Sequence, residues 1–272
     1  MTNDLTPKKV RTSTLRELKI AGQKFSCLTS YDHLTAGIFD EAGIEVLLVG
    51  DSAADNALGY SSTLPITVDE MLPFARAVAS AAKRALVVVD MPFGSYEVSI
   101  EAALENGIRI LKQSGAHAVK LEGGSRVASQ IEALSAAGVP VMAHLGFTPQ
   151  SVNQLGGFKV QGRGDAAEAL MADAQAVQAA GAFALVLELV PAPLAASITA
   201  ALSIPTIGIG GGSSTDGQIL VWTDFAGLTS QKPRKFVRRY ANLREVLTEA
   251  AKSYRSDVQS ARFPSADESF AE

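Results

Sequence analysis

Five short apolar runs in this chain end on, or beside, a group that can take part in chemistry: Val-Gly-Asp51, Val-Val-Asp90, Val-Lys120-Leu-Glu122, Ala-His144 and Leu-Glu188. Charge at the end of an apolar run is costly unless it is paired, ligated or wet. Asp51 and Asp90 offer two hard oxygen ligands, and Glu122 could add a third, directly or through water. An all-oxygen set that leaves room for water suits Mg²⁺, which takes few carboxylates. Lys120 and Glu122 stand two apart, so on a strand they share a face with Cα atoms about 7 Å apart. A lysine beside a metal suits a bound anion such as a carboxylate or an enolate. Glu188, preceded by Leu185-Val-Leu187, is placed to accept a proton. A metal to polarise a 2-oxo acid, a lysine for the negative charge and a free carboxylate base together make an enolisation site.

Each residue also has a bland reading. Asp51 or Asp90 alone could cap the next helix or serve a turn. Glu188 could be the buried partner of a basic residue, and His144 a hydrogen-bonded structural histidine. His33 and His117 read as structural, and Cys27 as a small core residue. The joint pattern favours a site, provided one architecture brings the run ends together.

That architecture is written in the spacing. Eight short runs rich in Val, Ile and Leu read as strands: Phe25–Thr29, Val46–Val49, Ala85–Val89, Ala118–Leu121, Val139–Ala143, Phe183–Leu187, Pro205–Ile209 and Ile219–Trp222. They are apolar on both faces, as buried parallel strands are. Helical segments lie between most of them: His33–Ala42, Val68–Ala82, Ile100–Ser114, Arg126–Ala137, Ala166–Ala180 and Pro193–Leu202. Gly43, Gly115, Gly138 and Gly181 supply helix stops, and Thr67-x-x-Glu70 and Thr14-x-x-Glu17 read as helix starts. Lys235–Lys252 reads as a closing helix. The glycine run Gly208-Ile-Gly-Gly-Gly212 after the seventh strand offers an anion site in a barrel, and the connection Gly211–Gln218 is too short for a full helix. Eight strands alternating with helices predict a (β/α)8 barrel, whose active face lies at the carboxyl ends of the strands. A doubly wound sheet is the alternative, although no G-x-G-x-x-G opens a helix after the first strand. The sequence predicts one domain over residues 1–272, with 1–9 as a mobile arm and 256–272 as a mobile tail.

Composition narrows the classes. The chain has 272 residues, 47% of them hydrophobic and 19% charged, which excludes a disordered polymer. Its net charge of −4 argues against nucleic acid as a partner. One cysteine excludes an internal disulfide and a thiolate metal cluster. No apolar run approaches the ~20 residues that span a bilayer, so no membrane partner is expected. The amino terminus lacks the apolar core of a secretory signal, and a cytoplasmic protein is expected.

The chain resembles the ketopantoate hydroxymethyltransferase family. The segments that carry the resemblance are Thr29-Ser-Tyr-Asp32, Val49-Gly-Asp-Ser52, Ser62-Thr-Leu-Pro65, Asp90-Met-Pro-Phe93, Val119-Lys-Leu-Glu-Gly-Gly124, Ala143–Ser151, Gly156–Gly164 and Ile207-Gly-Ile-Gly210. They run in order across residues 10 to 245, and the block Leu145–Gly164 is the most specific. The resemblance implies a (β/α)8 barrel of the phosphoenolpyruvate/pyruvate-utilising type. It implies Mg²⁺ at Asp51 and Asp90 with Glu122 close by, and a 2-oxo acid contacting Asp51, Ser52, Asp90 and Lys120. Glu188 matches the base and His144 a pocket histidine. The implied reaction moves a one-carbon unit from 5,10-methylenetetrahydrofolate to 3-methyl-2-oxobutanoate, giving 2-dehydropantoate, in a homo-oligomer that is often a decamer.

Other readings stay open at this point. One is a metal-dependent aldolase or lyase for another 2-oxo acid. Another is a Schiff-base aldolase using Lys120, which the neighbouring carboxylates disfavour because they hold the amine charged. A third is a barrel that binds an organic acid without reaction.

Overall fold

The computed structural model describes residues 8–230 and 232–270. Eight parallel strands close a barrel in chain order: β1 Phe25–Thr29, β2 Val46–Val49, β3 Leu86–Asp90, β4 Ala118–Glu122, β5 Val141–Gly146, β6 Ala184–Glu188, β7 Thr206–Ile209 and β8 Gly217–Leu220. The ring closes where β8 pairs with β1, Cys27 opposite Ile219. Strands β2 to β4 are buried at every residue, which explains why their sequences read as unbroken apolar runs rather than alternating ones. Closure excludes the doubly wound sheet. No helix of the described residues is long and apolar enough to cross a membrane.

The helices follow the expected starts and stops closely. Ile100–Ser114 carries Ser99 as its cap, with the hydroxyl accepting the Ala102 N–H at 3.1 Å, and Gly115 ends it at φ 77°. Val68–Ala81 opens on the reciprocal pair Thr67 and Glu70. The helix containing Thr14 differs from expectation. It begins two residues earlier, at Thr12, and Thr14 Oγ1 accepts the Arg11 N–H instead of capping a helix of its own. The segment expected as one helix from Arg126 splits into a 3-10 turn, Ser125–Val127, and a helix, Ala128–Ala136.

The last strand is also displaced. It begins at Gly217, not Ile219, and Trp222 opens a short helix rather than ending the strand. Gly217 pairs with Phe25 of β1 and Ile207 of β7, and the position takes glycine because a methyl there would run into the Phe25 ring. As expected, no helix lies between β7 and β8.

Two compact units make up the chain, Met1–Val221 with the whole barrel and Trp222–Glu272. In the second, the helix expected over Lys235–Lys252 runs instead over Leu243–Gln259. Pro233 and the irregular backbone through Ala241 delay its start. It therefore includes residues 256–259 of the segment expected as a tail. Residues 1–7 of the expected amino-terminal arm lie outside the described residues.

Candidate active site

Strand register determines which of the predicted residues meet. Asp90 is directly opposite Lys120 across β3 and β4, and Glu122 is opposite His144 across β4 and β5. Lys120 and Glu122 are two apart on β4, so they share a face and join the two cross-strand pairs. His144 is opposite Val186 on β6, which leaves Glu188 one diagonal step beyond it. The result is a continuous polar ring across four strands. Lys120 Nζ is 3.0 Å from Asp90 Oδ1, 3.2 Å from His144 Nδ1 and 4.0 Å from Glu122 Oε1. Glu122 Oε1 is 3.3 Å from His144 Nδ1, and Glu188 Oε2 is 3.4 Å from His144 Nε2.

Asp51 joins the ring from the turn after β2. Its backbone N–H donates to Asp90 Oδ2 at 2.9 Å, so the two aspartates are held side by side. The Ser52 hydroxyl beside them pairs with Tyr31 Oη at 2.7 Å.

Burial sets the electrostatics. Asp51, Asp90, Lys120, Glu122 and His144 are all buried, and Glu188 keeps 12% of its side chain exposed. Burial, then the charges of Asp90 and Glu122, push Asp51 well above the usual carboxylate range. Burial is also the main reason Glu122 is pushed up to about 7, although Lys120 opposes it. Burial alone would discharge Lys120, but Asp90, Glu122 and Asp51 outweigh it and hold the ammonium above its usual value. A permanently charged lysine is a poor Schiff-base nucleophile. Burial, then Lys120, lower His144, which is therefore a neutral imidazole. An ammonium has only hydrogens to offer, so His144 Nδ1 accepts from Lys120 and the ring proton sits on Nε2, on the side of Glu188.

The donor set fits a divalent cation. Three buried carboxylates face one ammonium, an excess of two negative charges when all are ionised. Asp90 Oδ1 is buried beside Lys120 without an aligned hydrogen-bond donor, and His144 Nε2 is buried without an aligned partner. Among the described residues, no three His, Cys, Asp or Glu side chains converge into a complete cage. Two adjacent aspartates with the rest of the shell left to water and substrate is the arrangement hard Mg²⁺ accepts.

Two residues that the sequence reading did not single out organise the ring. Gln150, on the 3-10 turn Pro149–Ser151 after β5, donates its backbone N–H to Glu122 Oε2 at 2.9 Å. Its side-chain Nε2 donates to Asp51 Oδ2 at 2.9 Å and to the Met91 carbonyl at 3.0 Å. The buried Tyr96 hydroxyl donates to Gln150 Oε1 at 2.6 Å and accepts the Glu122 N–H at 3.1 Å. Gln150 falls inside the specific block Ala143–Ser151, but a neutral side chain on a turn carries no chemical signal by type alone.

The backbone around Glu188 is tightly specified. The Phe147 N–H donates to the Glu188 carbonyl at 2.8 Å, and a Cβ at Gly146 would collide with that same oxygen. Leu189 follows at φ 50°, a strained value for a branched residue. Its N–H donates to Ile209 O and its carbonyl accepts from Gln161, which hold the turn.

An eight-stranded parallel barrel with an acid, lysine and histidine ring at the carboxyl ends of its strands is an enzyme architecture. The chain belongs to the ketopantoate hydroxymethyltransferase family, whose model matches residues 9–266. It is an enzyme, a hydroxymethyltransferase. A relative from Leifsonia xyli subsp. xyli, a 3-methyl-2-oxobutanoate hydroxymethyltransferase, is 59% identical over 264 residues, covering 97% of this chain and 95% of its own. One of the same name from Rhodococcus jostii is 56% identical over 268 residues, covering 98% and 93%. Among solved structures, phosphonopyruvate hydrolase, determined with oxalate and Mg²⁺, superimposes with a TM-score of 0.59 at 14% identity, covering 95% of this chain and 93% of that one. The 2,3-dimethylmalate lyase of the PEP mutase/isocitrate lyase superfamily gives 0.59 at 15% identity, covering 96% and 91%. These two likenesses concern the fold.

Proposed function

We propose that this enzyme transfers the one-carbon unit of 5,10-methylenetetrahydrofolate to 3-methyl-2-oxobutanoate, giving 2-dehydropantoate. The observation that supports the reading most is the adjacency of Asp90, Lys120, Glu122, His144 and Glu188 on four consecutive strands. Mg²⁺ would be held by Asp51 and Asp90, with Glu122 beside it. Bound there, it supplies Lewis-acid polarisation of a 2-oxo acid.

The side chains do the rest. Lys120 stays protonated and faces the negative charge that develops on the substrate. Asp51, Ser52 and Asp90 line the acid's oxygens. Glu188 is the most open carboxylate of the ring and accepts the C3 proton. The C3–H bond breaks and its electron pair forms the new C–C bond to the folate methylene carbon as one C–N bond of the methylene bridge opens. Water then displaces the second folate nitrogen from that carbon and supplies the hydroxyl oxygen, and tetrahydrofolate leaves with the C3 proton and one water proton on its two nitrogens. His144 Nε2 lies 3.4 Å from Glu188 Oε2, on the side from which the base meets the ring.

The reading extends to the cytoplasm as its location and to a homo-oligomer, by family a decamer. Val246, Leu247, Tyr254 and Val258 on Leu243–Gln259 are exposed, which agrees with a helix that finds cover in an assembly.

Proton NMR of 3-methyl-2-oxobutanoate with the enzyme, methylenetetrahydrofolate and Mg²⁺, beside an EDTA control, tests the proposal. Loss of the isopropyl methine with growth of a hydroxymethyl signal, only with metal, is expected. Exchange of C3 protons in D₂O on other 2-oxo acids but not this one would leave the enolisation site standing and replace the substrate.

A further inference from the structure

Gln150 has an unusual position: it contacts two of the three acids without neutralising either. Its backbone N–H caps Glu122 Oε2, and its side-chain amide caps Asp51 Oδ2. One oxygen of each carboxylate, Glu122 Oε1 and Asp51 Oδ1, is left outside these bonds. The amide itself is fully used. One amide hydrogen goes to Asp51 and the other to Met91 O, while Oε1 accepts from Tyr96. The carboxamide therefore has a single satisfied orientation, since exchanging O and N would set an acceptor against both Asp51 Oδ2 and Met91 O. Gln150 and Tyr96 are both buried, where an unmade bond is costly.

A cation in this place would have organised the carboxylates equally well and cancelled their charge. A neutral amide organises them and leaves the charge. We propose that Gln150, oriented by Tyr96, is a positioning residue that presents Asp51 and Glu122 to a divalent cation and preserves the negative excess that binds it. This rests on the metal reading of the ring given above. Outer partners of this kind are worth 10–100-fold in metal affinity.

The test is direct Mn²⁺ binding to the full-length protein, read by the EPR signal of free Mn²⁺ and repeated with Mg²⁺ by calorimetry, without substrate. Mn²⁺ shares the carboxylate preference of Mg²⁺. Gln150→Met keeps the length and removes the donors. Its Kd for Mn²⁺ is expected to rise about 10–100-fold. Tyr96→Phe, which removes the hydroxyl that donates to Gln150 and accepts the Glu122 N–H, is expected to raise it about 3–10-fold, and it serves where Gln150→Met does not fold. Thermal unfolding of both variants without metal separates positioning from folding. A purely structural role would lower the metal-free Tm and leave the Kd where it was. Wild-type Kd in folded Gln150→Met, or in Tyr96→Phe alone if the former is insoluble, overturns the inference. Absence of Mn²⁺ binding by the wild type overturns the metal reading itself.

Discussion

The two ends of the barrel bury carboxylates for opposite purposes. At the amino-terminal end, Asp40 accepts the backbone N–H groups of Lys83, Arg84 and Ala85, at 3.0, 3.0 and 2.6 Å, just before β3. Asp216, just before β8, accepts from Lys19 Nζ and the Thr206 N–H, both at 2.8 Å. Glu45, just before β2, accepts from the Ser26 N–H and hydroxyl and meets Arg84 at 3.2 Å. Each of these three acids stands in for a missing backbone partner or closes an ion pair. At the carboxyl-terminal end, Asp51, Asp90 and Glu122 press on one another and share one lysine. Well-satisfied charge stabilises the fold, and poorly satisfied charge is held ready for a ligand.

The sharpest way to break this contrast is at Glu188. Glu188→Gln should lower kcat about 10²–10⁴-fold, the usual worth of a general base. Mn²⁺ affinity should stay at the wild-type value, because Glu188 touches only His144 in the ring. Near-wild-type turnover, measured by NMR, would move the base elsewhere.

The opposite end should respond in the opposite way. Asp40→Ala strands three N–H groups and should cost about 3–5 kcal/mol of stability in urea unfolding. The kcat of the folded fraction should not change. A loss of turnover without loss of stability would erase the distinction between the ends.

The pH dependence of the metal-free protein sharpens the same point. Glu122 is pushed up to about 7 in the folded chain, against an ordinary value near 4.5. The folded state then holds a proton that the unfolded state releases. Glu122's contribution is present below pH ~4.5 and is lost as pH rises through about 7, on the order of 3 kcal/mol. Asp51 acts in the same direction. Saturating Mg²⁺ should flatten the slope, since the cation replaces the proton. Stability that climbs steadily from pH 5 to 7.5 without metal would contradict this.

The smallest effect on stability is expected at Asp51. Asp51→Asn removes a repelled buried charge but keeps the shape and an oxygen for Gln150. Metal-free stability at pH 8 should rise by about 1 kcal/mol, because removing an uncompensated buried charge is favourable. Mg²⁺-dependent turnover should be lost. A fall in stability would mean that Asp51 behaves like Asp40.

Much of the fold was legible because its signals are local. Apolar runs bounded by glycine and capping residues placed all eight strands, and the boundaries that slipped have particular causes. Gly217 reads as a turn residue, and only its pairing with Phe25 and Ile207 puts it in a strand, where the Phe25 ring leaves no room for a side chain. Thr14 has the right spacing for a cap, yet Arg11 already occupies the cap position. The ring was legible as residue types at strand ends. Its adjacency depends on inter-strand register, which no single strand encodes. Gln150 and Tyr96 escaped for the converse reason, since what they contribute lies entirely in where the chain brings them.

The ring stands on β3 to β6, and only Asp51 and Gln150 sit on turns. This makes the chemistry portable in one sense and fragile in another. Exposed connections that make no bond to the ring or to its turns can be lengthened or exchanged without disturbing Lys120, Glu122 or Glu188. The Gly156–Gly164 segment is not one of them, because its Gln161 N–H holds the Leu189 carbonyl beside Glu188. A single-residue slip of β4 against its neighbours would instead turn Lys120 and Glu122 to the outside together. A transplant of this activity into another barrel therefore has to carry the four strands as one block, with their mutual offsets intact, together with the turns that bear Asp51, Tyr96 and Gln150, and can leave the remaining surface connections to the host.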